Sequence, residues 1–362
     1  MSDGSAVAKA PPRARIFYLD LVRALATLII VLTHFNNPYL TQQGYLLTNT
    51  PFGIYVGGLG VSLFLIISGA ALTYTYGGRG RLDLRRFYWK RFKGIYPMYW
   101  IAWVGAVLYY FVDTKGFPPI TAPLRNVVFT VIGMDGLLAN FQVPTTYLLG
   151  EWFLGFIVLF YLVFPLLLWG VERFPVATAA VVIGGYALSL WYFYTHPGLP
   201  SAVILPTRLP ELVFGMLFVK YVRRVHWAVV LPAMAVMAVS AQLPTQVPED
   251  LATTFVGISA FLCLVVAGRF VAIAPVREGV ALVAKYSYPI FLVHHVVIME
   301  LYAKIDTTGF LLTQRVVMLA AVCALTFLLA LALDRVSNAV VAFCSRCFQG
   351  RWWVAQVAPT ER

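Results

Sequence analysis

Arg23 and His34 stand eleven residues apart inside one apolar run, 16–38. On a helix that is just over three turns, so both lie on nearly the same face, about 16 Å apart along the axis. One face then carries a cation toward one end and an imidazole toward the other. A charged group at mid-bilayer costs at least about 2.5–3.5 kcal/mol, which makes such residues functional candidates. Asp20, three residues before Arg23, permits a local ion pair. The plainer alternative has Arg23 snorkelling to the interface and His34 capping the helix.

Other chemistry-bearing residues are scattered through later apolar runs. Ser68 is a candidate nucleophile or contact residue, yet no GxSxG elbow surrounds it, and a mid-membrane serine commonly bonds back to its own helix. Glu151 and Trp152 open one run, and Arg208 and Glu211 open another. Carboxylates and aromatics at the mouth of a bundle suit sugar hydroxyls, and equally suit pairing between helices. His294 and His295 follow Ser287-Tyr288-Pro289. Adjacent helical positions are about 100° apart, so one of the two is expected to face the bundle interior, where imidazole suits acid–base work or ligand contact. The segment 77–93 holds seven Lys or Arg and one acid, Asp83. Arg85, Arg86, Lys90, Arg91 and Lys93, with Tyr96 after them, suit a polyphosphate; a lipid-headgroup or topology signal is the alternative.

These residues need elements to hold them. Sixty per cent of the 362 residues are apolar and only 12% are charged, with a mean hydropathy of +0.80. One soluble core does not absorb that much apolar surface, and disorder requires low hydrophobicity. The expected fold is an all-α polytopic membrane protein of about ten transmembrane helices. The spans are read at 16–38, 53–76, 94–113, 147–169, 175–194, 207–222, 227–243, 251–272, 286–304 and 311–334. The stretch 122–140, broken by Gly133, Asp135 and Gly136, reads as a short re-entrant or interfacial helix, too short to span. Residues 1–15 and 336–362 read as cytoplasmic tails around a transmembrane domain at 16–335.

With the first residue inside, about 21 of the 27 basic residues fall on the cytoplasmic side, as the positive-inside rule requires. The formal net charge of +12 is thus read as topology rather than as a nucleic-acid surface. Cys263 and Cys323 lie in apolar runs, while Cys344 and Cys347 form a lone CxxC with no second pair or nearby His to complete a metal site. No metal is expected, and the thiols read as reduced.

Six blocks, in order, resemble the acyltransferase-3 family of integral-membrane acyltransferases. They are Leu19-Asp20 through Arg23 to His34-Phe35, Gly60-Val61-Ser62-Leu63-Phe64 with Ser68-Gly69, Arg91 to Pro97, Gly150-Glu151-Trp152-Phe153-Leu154-Gly155, Arg208-Leu209-Pro210-Glu211 with Gly215, and Ser287-Tyr288-Pro289 with His294. Two positions depart from the family pattern: Gly94 stands where a second arginine is usual, with Lys93 before it, and Ser62 where aspartate is frequent. The similarity is to the short form without an SGNH esterase-like domain.

The resemblance implies transfer of an acetyl or other short acyl group from cytoplasmic acyl-CoA to a hydroxyl of a carbohydrate or cell-envelope glycan. It implies a bacterial plasma-membrane enzyme, and the charge bias above puts both termini on the cytoplasmic side. Acetyl-CoA is then the co-substrate, with its phosphates at the basic segment and its pantetheine arm rising past Arg23. His34 is the expected general base, and Arg23 or His294 an oxyanion donor. The competing readings are a transporter or flippase, which also needs intramembrane charge but here lacks paired broken helices, and a scaffold in which the ionisable residues only join helices.

Overall fold

The computed structural model describes residues 14–37, 46–115, 122–196, 198, 200–242 and 247–356, without side chains over 348–356. Most of the tail expected at 1–15, and the last residues of that at 336–362, lie outside the described residues. Apart from short 3-10 turns, the elements among the described residues are twelve helices: α1 (Phe17–Phe35), α2 (Val56–Tyr76), α3 (Leu84–Asp113), α4 (Val127–Val131), α5 (Asp135–Ala139), α6 (Trp152–Arg173), α7 (Pro175–Thr195), α8 (Leu205–Tyr221), α9 (Val230–Ser240), α10 (Glu249–Ala267), α11 (Ala274–Lys304) and α12 (Leu312–Gln356). Among the described residues, α1, α2, α3, α6, α7, α10, α11 and α12 are long and apolar enough to cross a membrane. The chain is an all-α polytopic membrane protein.

The expected spans at 207–222 and 227–243 form shorter helices. α8 has 17 residues, about 25 Å, and α9 has 11. A hydrocarbon core is about 30 Å thick, so eight full-length helices stand where ten were expected. The stretch 122–140 divides into α4 and α5 around Gly133, whose φ of +74° turns the chain and suits a residue without Cβ.

The basic segment is largely helical. Asp83 caps α3, its carboxylate accepting from the Arg86 backbone N–H at 3.0 Å, so the helix begins at Leu84 with ten residues ahead of the expected span. Arg and Lys are good helix formers, and the Asp83 charge opposes the unfavourable cations in the first turn. α12 likewise continues past residue 335 to Gln356, so much of the expected tail is helical and continuous with the last span.

Close approach of α2 and α8 sets the centre of the bundle. A Cβ on Gly69 would sit 2.0 Å from the Leu212 carbonyl oxygen, and one on Gly215 1.9 Å from that of Ile66. Lipid supplies no hydrophobic drive between helices, so small residues that admit backbone contact do the packing. A Cβ on Gly257 of α10 would overlap the Ser62 hydroxyl of α2 at 1.9 Å, which brings the third helix in. Aromatics fill the other flank: Phe87 stacks on Phe164 with centroids 5.4 Å apart, and Tyr99 and Phe160 are fully buried beside them. On the far side α1 packs against α11 and α12 through Val31, Phe35, Ile290, Ile298 and Val322.

Candidate active site

α1 brings both Arg23 and His34 to the wall of a cavity of about 700 Å³. The cavity runs along the bundle. Lys90, Arg91 and Gly94 of α3 line one end. Ser68, Tyr161 and Tyr288 line its course, and Tyr55, Ser201, Arg208, Glu249 and Asp250 line the other end. Arg23 is half-buried. Asp20, its expected partner, instead pairs with Arg15, because a carboxylate near the helix start reaches the preceding segment more easily than the cavity. The Arg23 guanidinium thus has no ion-pair or hydrogen-bond partner among the described residues.

His34 meets two rings of α11. Its Nδ1 lies 2.8 Å from Nε2 of His294. The His295 ring stands edge-on to it at 5.4 Å between centroids. Sequence spacing allowed only one of the two histidines to face inward. His34 sits at the seam between them, so both touch it. His294 is fully buried, and its Nδ1 lies 2.8 Å from the Phe291 carbonyl oxygen and 3.1 Å from that of Ile290. It stands behind His34, outside the cavity wall, which departs from its expected place as a substrate or oxyanion contact. His295 was not singled out as a site residue. The sequence carries no signal for it; its ring packs against Gly150, at φ +72°, where a Cβ would lie 2.6 Å from it.

Of the six residues expected at the cofactor, Lys90 and Arg91 reach the cavity. The Arg91 guanidinium lies 5.6–5.9 Å from the ring centroids of Tyr76, Phe87 and Tyr161, and its buried Nε has no partner among the described residues. Arg85 and Arg86 are exposed, away from the wall. Lys93 turns outward over Trp89, 4.9 Å from the ring; it lies two residues from Arg91, about 200° around the helix. The Tyr96 hydroxyl donates to the Ile132 carbonyl at 2.9 Å, so it braces the segment between α4 and α5.

The residues expected at the acceptor divide in the same way. Trp152, Arg208 and Ser68 line the cavity. The Ser68 hydroxyl donates to the Phe64 carbonyl at 2.7 Å, the back-bond that its place in a helix favours. Glu211 is fully buried away from the wall, 3.3 Å from an Arg208 nitrogen, and accepts from the Ser62 hydroxyl of α2 at 3.3 Å. Its role in the fold is pairing between helices. Glu151 also turns away from the mouth: fully buried, it accepts from the Leu149 backbone N–H at 2.9 Å. Sequence reasoning passed over Glu249 and Asp250. Glu249 accepts from the Tyr55 backbone N–H at 3.0 Å, and Asp250 accepts from the Ser201 hydroxyl. Two acids directly after Pro248 at the head of an apolar run were the available signal.

The arrangement offers an anion a cationic entrance, a polar molecule an acidic entrance, and both a shared imidazole. Among the described residues no group of three or more His, Cys, Asp or Glu is placed to hold a metal ion. A family model described as an acyltransferase domain matches residues 16–335. No curated protein and no solved structure matches the chain.

Proposed function

The chain belongs to the acyltransferase-3 family of membrane acyltransferases, and on that premise we propose that it moves an acetyl or other short acyl group from acyl-CoA to a hydroxyl of a carbohydrate or cell-envelope glycan, with His34 as general base. The observation that carries this reading is the single cavity joining Lys90 and Arg91 to His34 and His34 to the acidic rim. Lys90 and Arg91 hold the phosphates of CoA from the cytoplasmic face, where arginine pairs best with phosphate. Arg23, about 16 Å below His34 along α1, binds the pantetheine arm rather than the thioester. The acceptor enters past Ser201, Glu249 and Asp250, whose oxygens suit hydroxyl donors.

In the chemical step the acceptor hydroxyl gives its proton to His34 as its oxygen attacks the thioester carbon. The new C–O bond forms, the C–S bond breaks, and the departing thiolate takes the proton back from His34. General-base catalysis contributes about 10²–10⁴-fold. The test is thiol release from acetyl-CoA by purified wild type and His34→Ala, with and without an envelope-glycan extract. Release that depends on acceptor, and falls by about 10²–10⁴-fold in the variant, is expected. Equal release by both proteins would remove His34 from the chemistry.

A further inference from the structure

Four atoms fix which nitrogen of His34 is available. The Nδ1 of His294 faces two backbone carbonyl oxygens, at 2.8 and 3.1 Å. A carbonyl oxygen only accepts, so this nitrogen carries a hydrogen; a bare nitrogen would set lone pair against lone pair. His294 is fully buried, and no carboxylate pairs with it among the described residues, so a doubly protonated, cationic ring there would be strongly disfavoured. Its Nε2 is therefore bare. That bare nitrogen lies 2.8 Å from Nδ1 of His34, which must then be the donor. In a neutral imidazole one nitrogen donates and the other accepts. The lone pair of His34 is left on Nε2, across the ring from His294, and it is His34 that lines the cavity.

We infer that His294 is a positioning residue: it locks His34 in the tautomer with hydrogen on Nδ1 and so presents Nε2 as the base. This rests on the proposal that His34 is the general base. The chain of bonds runs from the Phe291 and Ile290 carbonyls through His294 to His34, and it holds the ring's angle as well as its proton. When Nε2 takes the acceptor's proton, the resulting His34 cation keeps its Nδ1–H donated to the neutral His294 ring. The proton does not pass on, since His294 Nδ1 already holds one. It returns through Nε2 to the departing thiolate. A carboxylate does this work in other acyl-transfer sites. Here a neutral ring does it, which avoids placing an anion inside the bundle.

The test reads the tautomer first, on the full chain labelled with ring-¹⁵N histidine in lipid nanodiscs. The His34 signals are assigned by their loss in His34→Gln. The expected spectrum has a protonated Nδ1 and a bare Nε2 on His34; a hydrogen on Nε2 instead overturns the inference without touching the base assignment. Kinetics follow with His294→Phe, which keeps a ring of similar size but no acceptor, and His294→Gln, whose amide oxygen accepts and whose amide hydrogen donates to the carbonyls. Losing a residue that orients a catalytic group costs from about 10- to 100-fold, and misplacing the tautomer costs more. We expect kcat to fall about 100-fold or more in His294→Phe with both KM values within about twofold, and His294→Gln to recover most of the loss. Wild-type kcat in His294→Phe would overturn the inference, as would a His294→Gln variant of native stability that is no better than His294→Phe. Equal thiol release by wild type and His34→Ala would overturn the base and, with it, this role.

Discussion

Arg23 is a cation held inside the bundle on a cavity wall with its guanidinium free of protein acceptors among the described residues. Burying it that way is costly unless a ligand completes it. Its acid neighbour, Asp20, is engaged with Arg15. A hydrogen bond to a charged group is worth about 1.5–3 kcal/mol, or about 10- to 150-fold. Arg23→Ala is therefore expected to lower kcat/KM for acyl-CoA by about that factor while KM for the acceptor stays unchanged. Initial rates over a matrix of both substrates check this, and an equal rise in both KM values would remove Arg23 from the donor's path. The Arg23–His34 stripe was legible in the sequence because both residues lie on one helix and helical spacing is a local property. The fate of Glu151 was not: whether a carboxylate at a helix start faces a mouth or folds back on the Leu149 N–H depends on a turn geometry that composition does not record.

At the scale of helices, the site depends on contacts with no tolerance for an added carbon. α1, which carries Arg23 and His34, packs on α2, and α2 is seated on α8 through Gly69 and Gly215. Replacing Gly215 by Ala forces a Cβ to within 1.9 Å of a backbone oxygen, so the helices must separate rather than a side chain rotate. Overpacking of this kind typically costs about 1–3 kcal/mol. Gly215→Ala should lower the midpoint of thermal unfolding in detergent by several degrees and reduce acyl transfer. Gly184→Ala in α7, where a Cβ meets nothing within 4 Å, should leave acyl transfer unchanged and the midpoint the same or higher, since alanine favours helix over glycine. Matching midpoints for the two variants would show that α2 and α8 do not rely on that contact. Most of the long helices were readable because hydropathy reports single segments. Which helices touch is non-local, and that is where reading stopped: His294 and His295 both reach His34 only because α11 crosses α1 at that level. The helical start of α3 was hidden for a different reason. A run of Arg and Lys looks like a solvated loop, although both residues favour helix and Asp83 supplies the cap.

The whole molecule turns on parity. α8 is about 25 Å long and α9 shorter still, so these two either cross a locally thinned bilayer together or enter from one side and return. Eight spans and ten are both even, and α1 and α12 meet the same face in either case. The basic residues favour one choice of face: Lys90, Arg91, Arg173, Arg269 and Arg277 lie at or near helix ends that the alternation of the long helices puts on one side, Arg335 lies toward that side in α12, and Arg223 and Arg224 join them where α8 crosses; the positive-inside rule favours that side as cytoplasmic. In that proposed orientation Lys90 and Arg91 would open the cavity toward the cytoplasmic pool of the proposed acyl-CoA donor, and Glu249 and Asp250 toward the opposite surface. The chain carries its own probe for this. Cys344 and Cys347 are exposed toward the end of α12, past Asp334 and Arg335, whereas Cys263 and Cys323, the latter also exposed, sit in the apolar runs of α10 and α12. A membrane-impermeant maleimide applied to intact cells should leave Cys344 and Cys347 unmodified, and should label both once the membrane is permeabilised. Cys344→Ser with Cys347→Ser, losing that signal, assigns it. Labelling in intact cells would invert the bundle and turn the cationic end of the cavity away from the CoA pool.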